Sequence, residues 1–502
     1  ADERRADMDI LLMMIKDALP HNPDTRVIVT SATLPDTFPN YFAQFGPKTQ
    51  DGISQMAAEV TVEASMHKVV TRPVKLERYE HHAEGAQRGL QNLLIDFIRS
   101  KLKLPPEDGT GTETTVESGA IAMILAGKED VERARKHFDE MLRDKERLID
   151  NIINIEIAEA ADKLYEDAIA SGTLEQELGA KEDTYLTIYQ VKDKLRKILK
   201  KRQSAEWEKR REELKKRLGG KKVSIEIIHS EIKKEAVGKV SAKISDNELR
   251  LIIGTEVIRR SVTLPDLVAM VDVWEKKRPS LIAGVYELEK IPISAAEARQ
   301  GMGRTGRTRP GIYCPVHSQH QEELEPYPQP EIVRAPDTGI MLLLADYGYD
   351  LRTAPLIDKP EWEHYKDAFR LLQLIGALDE EGKITPYGKE LRKFPVKNPE
   401  YAAALLTASK YNRAPEMSII ATALSMETSF RIAADKLKGK SLRFEAEEYF
   451  EPVGLKNISE LREKCGDSVF KELVSVHLSK ATGKNASSRR EYPDIEGMDR
   501  HT

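Results

Sequence analysis

Residues 300–307 have the sequence QGMGRTGR, in which two arginines lie three positions apart. Positions three apart share one face of a helix, so we expect Arg304 and Arg307 to project together. A planar guanidinium pairs with a phosphate through two parallel hydrogen bonds, and glycines permit close approach of the main chain. The stretch therefore predicts a site for a phosphoryl group in transfer. A basic, glycine-rich turn on a surface helix is the alternative that the stretch alone leaves open.

The longer segment ISAAEARQGMGRTGRTRPGIYCPV, residues 293–316, resembles motif VI of the DEAH/RHA-type RNA helicases. Further segments resemble motifs of this family in the same order, from the first residue to about residue 478. The resemblance implies that Gln300 orients the γ-phosphate or the attacking water. It implies that Arg304 and Arg307 act as arginine fingers between two lobes, and that Gly303 permits close packing at the nucleotide.

The upstream segment TEVIRRSVTLPD, residues 255–266, follows an apolar run and resembles motif V of the same family. The resemblance implies that Thr255 holds an RNA phosphate, with Glu256 and His229 beside the RNA. It also implies that three further residues face the nucleotide, namely Ser261, Thr263 and Asp266. The family usually has Asn-Ile-Ala-Glu-Thr where this chain has EVIRR, so we expect altered coupling between ATP and RNA. An ordinary strand-to-turn junction is the alternative.

Residues 274–293 contain two short apolar runs, where the family has a β-hairpin that helps to part strands. Trp274 lies near the position at which the family places an aromatic ring against adenine. The resemblance therefore implies a nucleotide contact for Trp274. An aromatic side chain that packs in the core or in the hairpin is the alternative.

The first 34 residues resemble the family from just after motif II through motif III. The apolar pattern of residues 8–19 predicts a helix, and the β-branched run at residues 26–30 predicts a buried parallel strand. The resemblance implies that Ser31 and Thr33 couple the ATP state to the grip on RNA, whereas a plain strand-to-turn junction is the alternative.

The phosphate loop of the family, G-x-x-x-x-G-K-[ST], does not occur in this sequence. The acidic box that binds Mg²⁺ is also missing, unless Asp2 forms its tail. We therefore expect a fragment or a processed piece, whose first lobe lacks its nucleotide-holding half. Such a polypeptide is expected not to hydrolyse ATP alone.

Residues 135–217 are highly charged, almost free of Gly and Pro, and favour helix. Alternating spacings of three and four are typical of a coiled-coil seam, and they are shown by Ile188, Val191, Leu195 and Ile198. Gly172 and Gly179 indicate where a helical hairpin turns. We predict an inserted helical arm of roughly eighty residues. Its basic stretch, residues 192–222, either faces RNA or a protein partner, or forms a solvated face with intrahelical ion pairs.

The segment LLQLIGALDEEGKITPYGKELRKFPVKNPEYAAALL, residues 371–406, closely resembles the winged helix of the family and the start of its ratchet domain. The predicted fold class is α/β and α, with RecA-like parallel-sheet lobes followed by winged-helix and helical ratchet domains. The predicted boundaries are 1–80 for the end of the first lobe, 81–325 for the second lobe with an insertion at about 135–220, 326–405 for the winged helix, 406–480 for the ratchet domain and 481–502 for a disordered tail.

The chain has 502 residues and a formal net charge of −5, so nucleic acid would have to bind a local basic cleft. Its two cysteines, Cys314 and Cys465, favour a reducing intracellular compartment, which means cytoplasm or nucleus, or a virion for a viral protein. No apolar run is long enough to span a bilayer, so no membrane partner is expected.

These observations predict a helicase or translocase that uses ATP and Mg²⁺ and acts on nucleic acid. The expected partner is RNA, either single-stranded or duplex with an overhang. Two alternatives stay open. One is a non-catalytic RNA-binding or scaffold protein derived from a helicase, which the missing phosphate loop and the altered motif V favour. The other is a component of a larger complex whose helical insertion docks a protein partner.

Overall fold

The computed structural model describes residues 4–22, 24–31, 34–35, 37–45, 60, 67–107, 111–178, 187–229, 234–260, 262, 264–282, 285–317, 324–334, 337–360, 362–394 and 398–425. Several predicted features lie outside these residues, namely Asp2, Thr33, Ser261, Thr263, Gly179, the later ratchet segment and the tail. The described residues form two compact units. The first unit comprises residues 29–328, and the second comprises residues 4–28 together with the described residues from 329 onward.

The helices are, in chain order, α1 (Ala6–Ala18), α2 (Thr37–Tyr41), α3 (His82–Ile98), α4 (Lys128–Arg143), α5 (Lys145–Ser171), α6 (Leu174–Leu178), α7 (Ile188–Arg202), α8 (Ser204–Gly219), α9 (Lys234–Val240), α10 (Val257–Arg260), α11 (Ala295–Thr305), α12 (Glu331–Arg334), α13 (Thr338–Asp346), α14 (Trp362–Leu374), α15 (Pro386–Leu391), α16 (Pro399–Lys410) and α17 (Ala414–Ser425). The strands are β1 (Val69–Thr71), β2 (Val74–Lys75), β3 (Lys103–Leu104), β4 (Thr114–Thr115), β5 (Gly119–Ile124), β6 (Lys222–Ile228), β7 (Glu248–Gly254), β8 (Leu267–Asp272), β9 (Glu275–Ile282), β10 (Val285–Pro292) and β11 (Gly311–His317). Short 3₁₀ turns occupy Leu19–His21 and Ala43–Phe45.

The first unit is built on a parallel sheet with the strand order β1-β11-β8-β5-β7-β6, and β2 also pairs with β11. Strands β5, β7 and β8 are buried along their whole length, and their sequences are mostly apolar, as is typical of strands in a parallel sheet with both faces covered. Alternate residues of β5 enter two different cores. Ile121 and Met123 share one core with α3, α4 and parts of α5 and α8, while Ala120 and Ala122 share the other with α9 and α10. This is the predicted α/β arrangement with helices on both faces of the sheet.

The helical arm, which we define as α5 to α8 (residues 145–219), is anchored in the sheet core at both ends. Leu148 and Ile152 of α5 and Leu214 and Leu218 of α8 all belong to the main core of the unit. The outer part of the arm has a small core of its own, formed by Ala161, Val191, Leu195 and Leu199. The arm is therefore a long helical layer that packs on the sheet core at its base and extends beyond it.

The predicted coiled-coil seam is wrong at both of its ends. The buried stripe of α7 is Val191, Leu195 and Leu199, spaced by four, whereas Ile188 is 57% exposed. Ile188 lies in the first turn of α7, one residue after the cap Thr187. Gly172 does end α5, with a φ of 69°, a left-handed conformation that glycine adopts without strain.

The amino-terminal segment differs from the prediction in two respects. Residues 26–30 form no strand, and Ile28 is 86% exposed. A strand needs a neighbour to pair its main chain, and the described residues supply none here. Helix α1 contributes Ala6, Ile10 and Met13 to the core of the second unit, so the segment predicted as one domain, residues 1–80, is divided between the two units.

The second unit contains the predicted winged-helix elements. Tyr365 and Leu372 of α14 are buried together with Leu378 and Leu391, and Leu378 forms an antiparallel bridge with Ile384. The bridge lies at the position predicted for the wing, and the turn between the two bridged residues contains Gly382 with a φ of 90°. Helices α16 and α17 follow, and α16 extends across the boundary predicted after residue 405 between the winged helix and the ratchet domain. Among the described helices, none combines the length and the apolarity that a membrane crossing needs.

Candidate functional site

Several candidate residues lie at the carboxyl edge of the parallel sheet, where sheets of this kind usually place ligands. His229 follows β6, and Thr255 follows the neighbouring strand β7. The two strand ends are joined, because the main-chain N–H of Thr255 donates to the carbonyl of Ile228 at 3.0 Å. His229 and Thr255 are 8% and 7% exposed. Glu256, which precedes α10, is half-buried. The structure thus brings the three predicted RNA-contact residues to one place.

Trp274 lies at the same edge, directly after β8, in a left-handed conformation with a φ of 55°. Its indole N–H donates to the Tyr313 hydroxyl at 3.0 Å, and its ring stacks on His317 with the centroids 5.5 Å apart. Its main-chain N–H donates to Asp272 at 3.2 Å. A positive φ is unfavourable for a bulky side chain, so these contacts hold Trp274 in a strained, defined position.

Below Trp274 lies a buried ion pair between Arg259 of α10 and Asp272 at the end of β8. The two side chains are 1% and 0% exposed. Arg259 donates from Nε to Asp272 Oδ2 at 3.0 Å and from Nη2 to Oδ1, and Tyr313 donates its hydroxyl to Oδ2 at 2.9 Å. Burial raises the pKa of Tyr313 well above its ordinary range, so the hydroxyl stays protonated and remains a donor. These contacts link α10, which lies in the motif V segment, to the end of β8.

Gly301 of α11 makes room for this ion pair. A Cβ atom at this position would lie 3.0 Å from Asp272 Oδ2 and 3.6 Å from the Tyr313 hydroxyl. A larger side chain would have to displace the carboxylate that neutralises Arg259. The glycine in QGMGRTGR that follows Gln300 is therefore needed for close packing against β8.

The second arginine of the altered motif V is also paired. Arg260 donates to Glu297 of α11 at 2.9 Å, and Lys276 of the β9–β10 hairpin donates to the same carboxylate at 2.6 Å. The other Glu297 oxygen accepts from the main chain and the hydroxyl of Ser294, which caps α11. Burial would raise the pKa of Glu297, but Lys276, Ser294 and Arg260 outweigh it and hold the pKa at about 2. The carboxylate is therefore ionised throughout the neutral range.

Arg304, in the last turn of α11, is bound to main-chain carbonyl groups. Its guanidinium donates to Arg259 at 2.8 Å, to Val262 at 3.1 Å and also to Arg260. These oxygens lie at the carboxyl end of α10, where the helix leaves acceptors unpaired. Among the described residues no carboxylate pairs with Arg304. Burial and the positive charge of Arg307 both lower the pKa of Arg304.

Arg307 does not lie on the helix with Arg304 as predicted, because α11 ends at Thr305 and Gly306 caps it. A Cβ at Gly306 would lie 2.7 Å from the carbonyl of His67, so the chain turns there in close contact with the segment before β1. Arg307 is exposed, while Gln300 and Gly303 are half-buried on α11. Helical periodicity therefore does not determine where Arg307 points.

The structure separates the predicted nucleotide residues. Helix α11 runs opposite to the strands, since Gly301 lies at the carboxyl end of β8 and Gly306 lies beside the start of β1. Asp266 directly precedes β8, at the amino edge, and has a φ of 54°. Trp274 lies at the opposite edge, with Thr255. Ser31 is described as half-buried coil, and Thr33 lies outside the described residues.

The described residues do not fit a Mg²⁺ site. No group of three or more His, Cys, Asp or Glu side chains within them is arranged to hold a metal ion. Two carboxylates beside the candidate site, Asp272 and Glu297, are already neutralised by Arg259, Arg260 and Lys276. Asp2, the predicted ligand, lies outside the described residues.

Sequence reasoning did not assign roles to Asp272, Tyr313 or Glu297. A signal for Asp272 was present, because it is an acid at the carboxyl end of an apolar strand, the edge at which sheets of this kind place ligands. Tyr313 and Glu297 carried no comparable signal. Their importance follows from the strands and helices that meet around Arg259 and Arg260.

Two segments of the chain match known families. Residues 187–309 match the helicase conserved C-terminal domain, and residues 368–396 match the winged-helix helicase associated domain HA2. The first range begins with α7, within the predicted insertion, includes β6, β7 and β8 of the sheet, and ends just after the QGMGRTGR segment. The second range covers most of α14, the wing and α15. A helicase lobe joined to a winged helix is therefore the class of protein that fold and site define.

Curated relatives point to the same class. The ATP-dependent RNA helicase HrpA of Escherichia coli (strain K12) is 32% identical over 196 residues, which cover 37% of this chain and 15% of the relative. The pre-mRNA-splicing factor ATP-dependent RNA helicase DEAH10 of Arabidopsis thaliana is 31% identical over 208 residues, covering 40% of this chain and 29% of the relative. The matched part of the chain thus spans less than a third of the length of either relative.

Solved structures support the fold. The crystal structure of the E. coli DExH-box NTPase HrpB superimposes with a TM-score of 0.57 and covers 95% of this chain and 46% of that chain. The sequence identity is 16%, so the likeness concerns the fold alone. The family matches and the curated relatives support a relationship of this chain to the DEAH/RHA helicase family.

Proposed function

We propose that this chain acts as part of an ATP-dependent RNA helicase or translocase, in which ATP is hydrolysed between two RecA-like lobes. The observation that carries the proposal is the state of Arg304. Its guanidinium is half-buried beside the charge of Arg307 and meets only carbonyl oxygens among the described residues. Two neighbouring positive charges without a carboxylate provide a favourable environment for a phosphate.

Arg304 also supplies a physical link between nucleotide and RNA. The carbonyl groups that it holds belong to residues 259–262, in the segment that begins with Thr255. A phosphate that draws the guanidinium away removes these hydrogen bonds from the carboxyl end of α10. Helix α10 starts two residues after Thr255, so its movement changes the position of the predicted phosphate grip. Arg259 and Arg260 limit that movement, because they tie α10 to β8 and α11.

ATP and Mg²⁺ are the cofactors that we propose, and the names of the curated relatives support the use of ATP. The described residues of this chain supply the guanidinium groups but no metal ligands. RNA is the proposed partner, single-stranded or with an overhang, since the relatives carry RNA helicase in their names. His229, Thr255 and Glu256, gathered at one sheet edge, are the residues proposed to meet it.

The test is RNA-stimulated ATP hydrolysis by the full natural polypeptide that contains this chain, with Arg304→Ala beside it. An arginine finger is worth roughly a thousandfold or more in turnover, so the variant should lose almost all activity. Arg299→Ala is the matched control, because Arg299 is an exposed arginine on the same helix. The proposal fails if Arg304→Ala hydrolyses ATP as fast as the control variant.

A non-catalytic RNA-binding or scaffold protein is the second candidate. It is favoured by motif V, where the two arginines are engaged in ion pairs with Asp272 and Glu297. These pairs anchor α10 and oppose the motion that coupling requires. The same assay separates the two candidates, since a scaffold binds RNA but shows no hydrolysis in either the unaltered protein or Arg304→Ala.

A further inference from the structure

Most of the cations at the base of the helical arm are paired. Glu156 of α5 accepts from Arg99 at 3.0 Å and from Arg210 of α8 at 3.0 and 3.1 Å. Arg211 of α8 bonds to Asp150 of α5, and Lys215 lies 3.2 Å from Glu146. These pairs join α8 to α5 beside the apolar contacts with the core. The cations of α8 that face α5 therefore contribute to folding.

Helix α7 uses its charges differently. Its buried stripe packs on α5, and two of its cations pair with carboxylates of the neighbouring helices α5 and α6. Lys192 lies 3.2 Å from Asp162, and Arg202 lies 2.8 Å from Glu177. Arg196 and Lys200 are exposed, and no carboxylate of the described residues lies within ion-pair distance of either. The outer face of α7 thus carries positive charge that the fold does not use.

An aromatic side chain shares this face. Tyr189 is 86% exposed, and Arg196 and Lys200 follow it by seven and eleven residues. At 3.6 residues per turn, these spacings return to within about 20° of the same direction. Asp193 lies between them on the same side of the helix, and its carboxylate forms an ion pair with Lys197 at 2.6 Å. We call Tyr189, Arg196 and Lys200 the α7 ridge.

We propose that the α7 ridge binds single-stranded RNA. Arg196 and Lys200 would contact phosphates of the RNA, and the ring of Tyr189 would stack against a base. Sites for single strands combine cations along the backbone with exposed aromatic rings on which bases stack. The chain as a whole is acidic, with a net charge of −5. Binding of a polyanion therefore depends on local cationic surfaces, and the α7 ridge is one of them. This inference rests on the proposed function only in taking RNA as the partner, because it involves no ATP chemistry.

The test is the binding of a fluorescein-labelled single-stranded RNA to the 502-residue chain without nucleotide, followed by fluorescence anisotropy over a range of salt concentrations. Arg196→Gln with Lys200→Gln should weaken binding about tenfold near 0.1 M salt and lower the salt slope by about 1.4. Tyr189→Ala should weaken binding about fivefold or more, and Tyr189→Phe should restore it.

The matched control is Lys201→Gln with Lys209→Gln, which removes the same charge. Both lysines are exposed, Lys201 points about 100° away from Lys200, and Lys209 lies on α8. The control pair should leave affinity nearly unchanged. Equal losses in the ridge and control pairs would mean a nonspecific charge effect and overturn the proposal.

Two further outcomes overturn the proposal. One is an unaltered protein that does not bind the RNA. The other is a ridge variant with unchanged affinity and salt slope, as expected if the ridge docks a protein instead. Neither result bears on Arg304, whose variant tests ATP hydrolysis with a separate readout. A failed ridge and a failed helicase proposal are therefore distinguishable.

Discussion

The candidate site and the helical arm both divide their cations into two groups. In each region one group is paired with carboxylates, and the other meets none among the described residues. At the site, the paired group is Arg259 and Arg260, which join α10 to β8 and α11. The unpaired group is Arg304 and Arg307.

In the arm, Arg210 and Arg211 are paired with α5, whereas Arg196 and Lys200 on the outer face of α7 have no such partner. The two regions differ in burial. Arg259 is 1% exposed, while the paired arginines of α8 keep about a quarter to a third of their side chains in solvent. Desolvation of the paired arginine therefore costs much more free energy at the site than in the arm.

Breaking the buried pair should have the largest effect on stability. Asp272→Ala leaves the Arg259 charge buried without a partner, so we expect a loss of about 3–5 kcal/mol in the free energy of unfolding. The double variant Arg259→Met with Asp272→Leu should lose much less, because no charge remains buried. Urea denaturation of the three proteins measures both values. A single variant as stable as the double would show that the pair is not desolvated.

Removing the Glu297 charge should have a smaller, pH-dependent effect. The folded-state pKa of about 2 lies below the ordinary 4.5, so the stabilisation is complete above about pH 4.5 and is lost as the pH falls towards 2. Glu297→Gln should therefore cost about 2–3 kcal/mol at pH 7 and almost nothing near pH 2. Denaturation curves at several pH values test this, with the exposed Glu132→Gln as the control. A cost that does not change with pH would contradict the assignment.

The smallest effect on stability should come from the unpaired cations. Arg196→Gln with Lys200→Gln removes two exposed charges that contact no carboxylate, so stability should change by less than about 0.5 kcal/mol. A thermal melt monitored by circular dichroism tests this. A clear destabilisation would mean that these side chains belong to the paired, structural group, and it would weaken the contrast with Asp272→Ala.

Local signals predicted much of this fold correctly. The helix over residues 8–19, the helix that carries Arg304 and the winged-helix segment around Gly382 depend on short-range patterns, and the structure contains all of them. The strand expected at residues 26–30 was wrong, although its β-branched composition was suitable. A strand also needs a neighbour, and a local pattern contains no information about that neighbour.

The candidate site shows the same limit. The guanidinium groups of QGMGRTGR and the two extra arginines of motif V were visible in the sequence. Their partners were not, because Asp272 and Glu297 lie 13 and 37 residues from the arginines they neutralise. Distances of this kind are set by strand order and helix packing.

The sequence by itself determined the family resemblance, the class of fold and the residue types available for phosphate recognition. These depend on composition and on spacing along the chain, which persist in any conformation. Only the tertiary structure decided which arginines are neutralised and which remain available to an anion. That decision depends on which carboxylates the folded sheet brings within about 3 Å of each guanidinium.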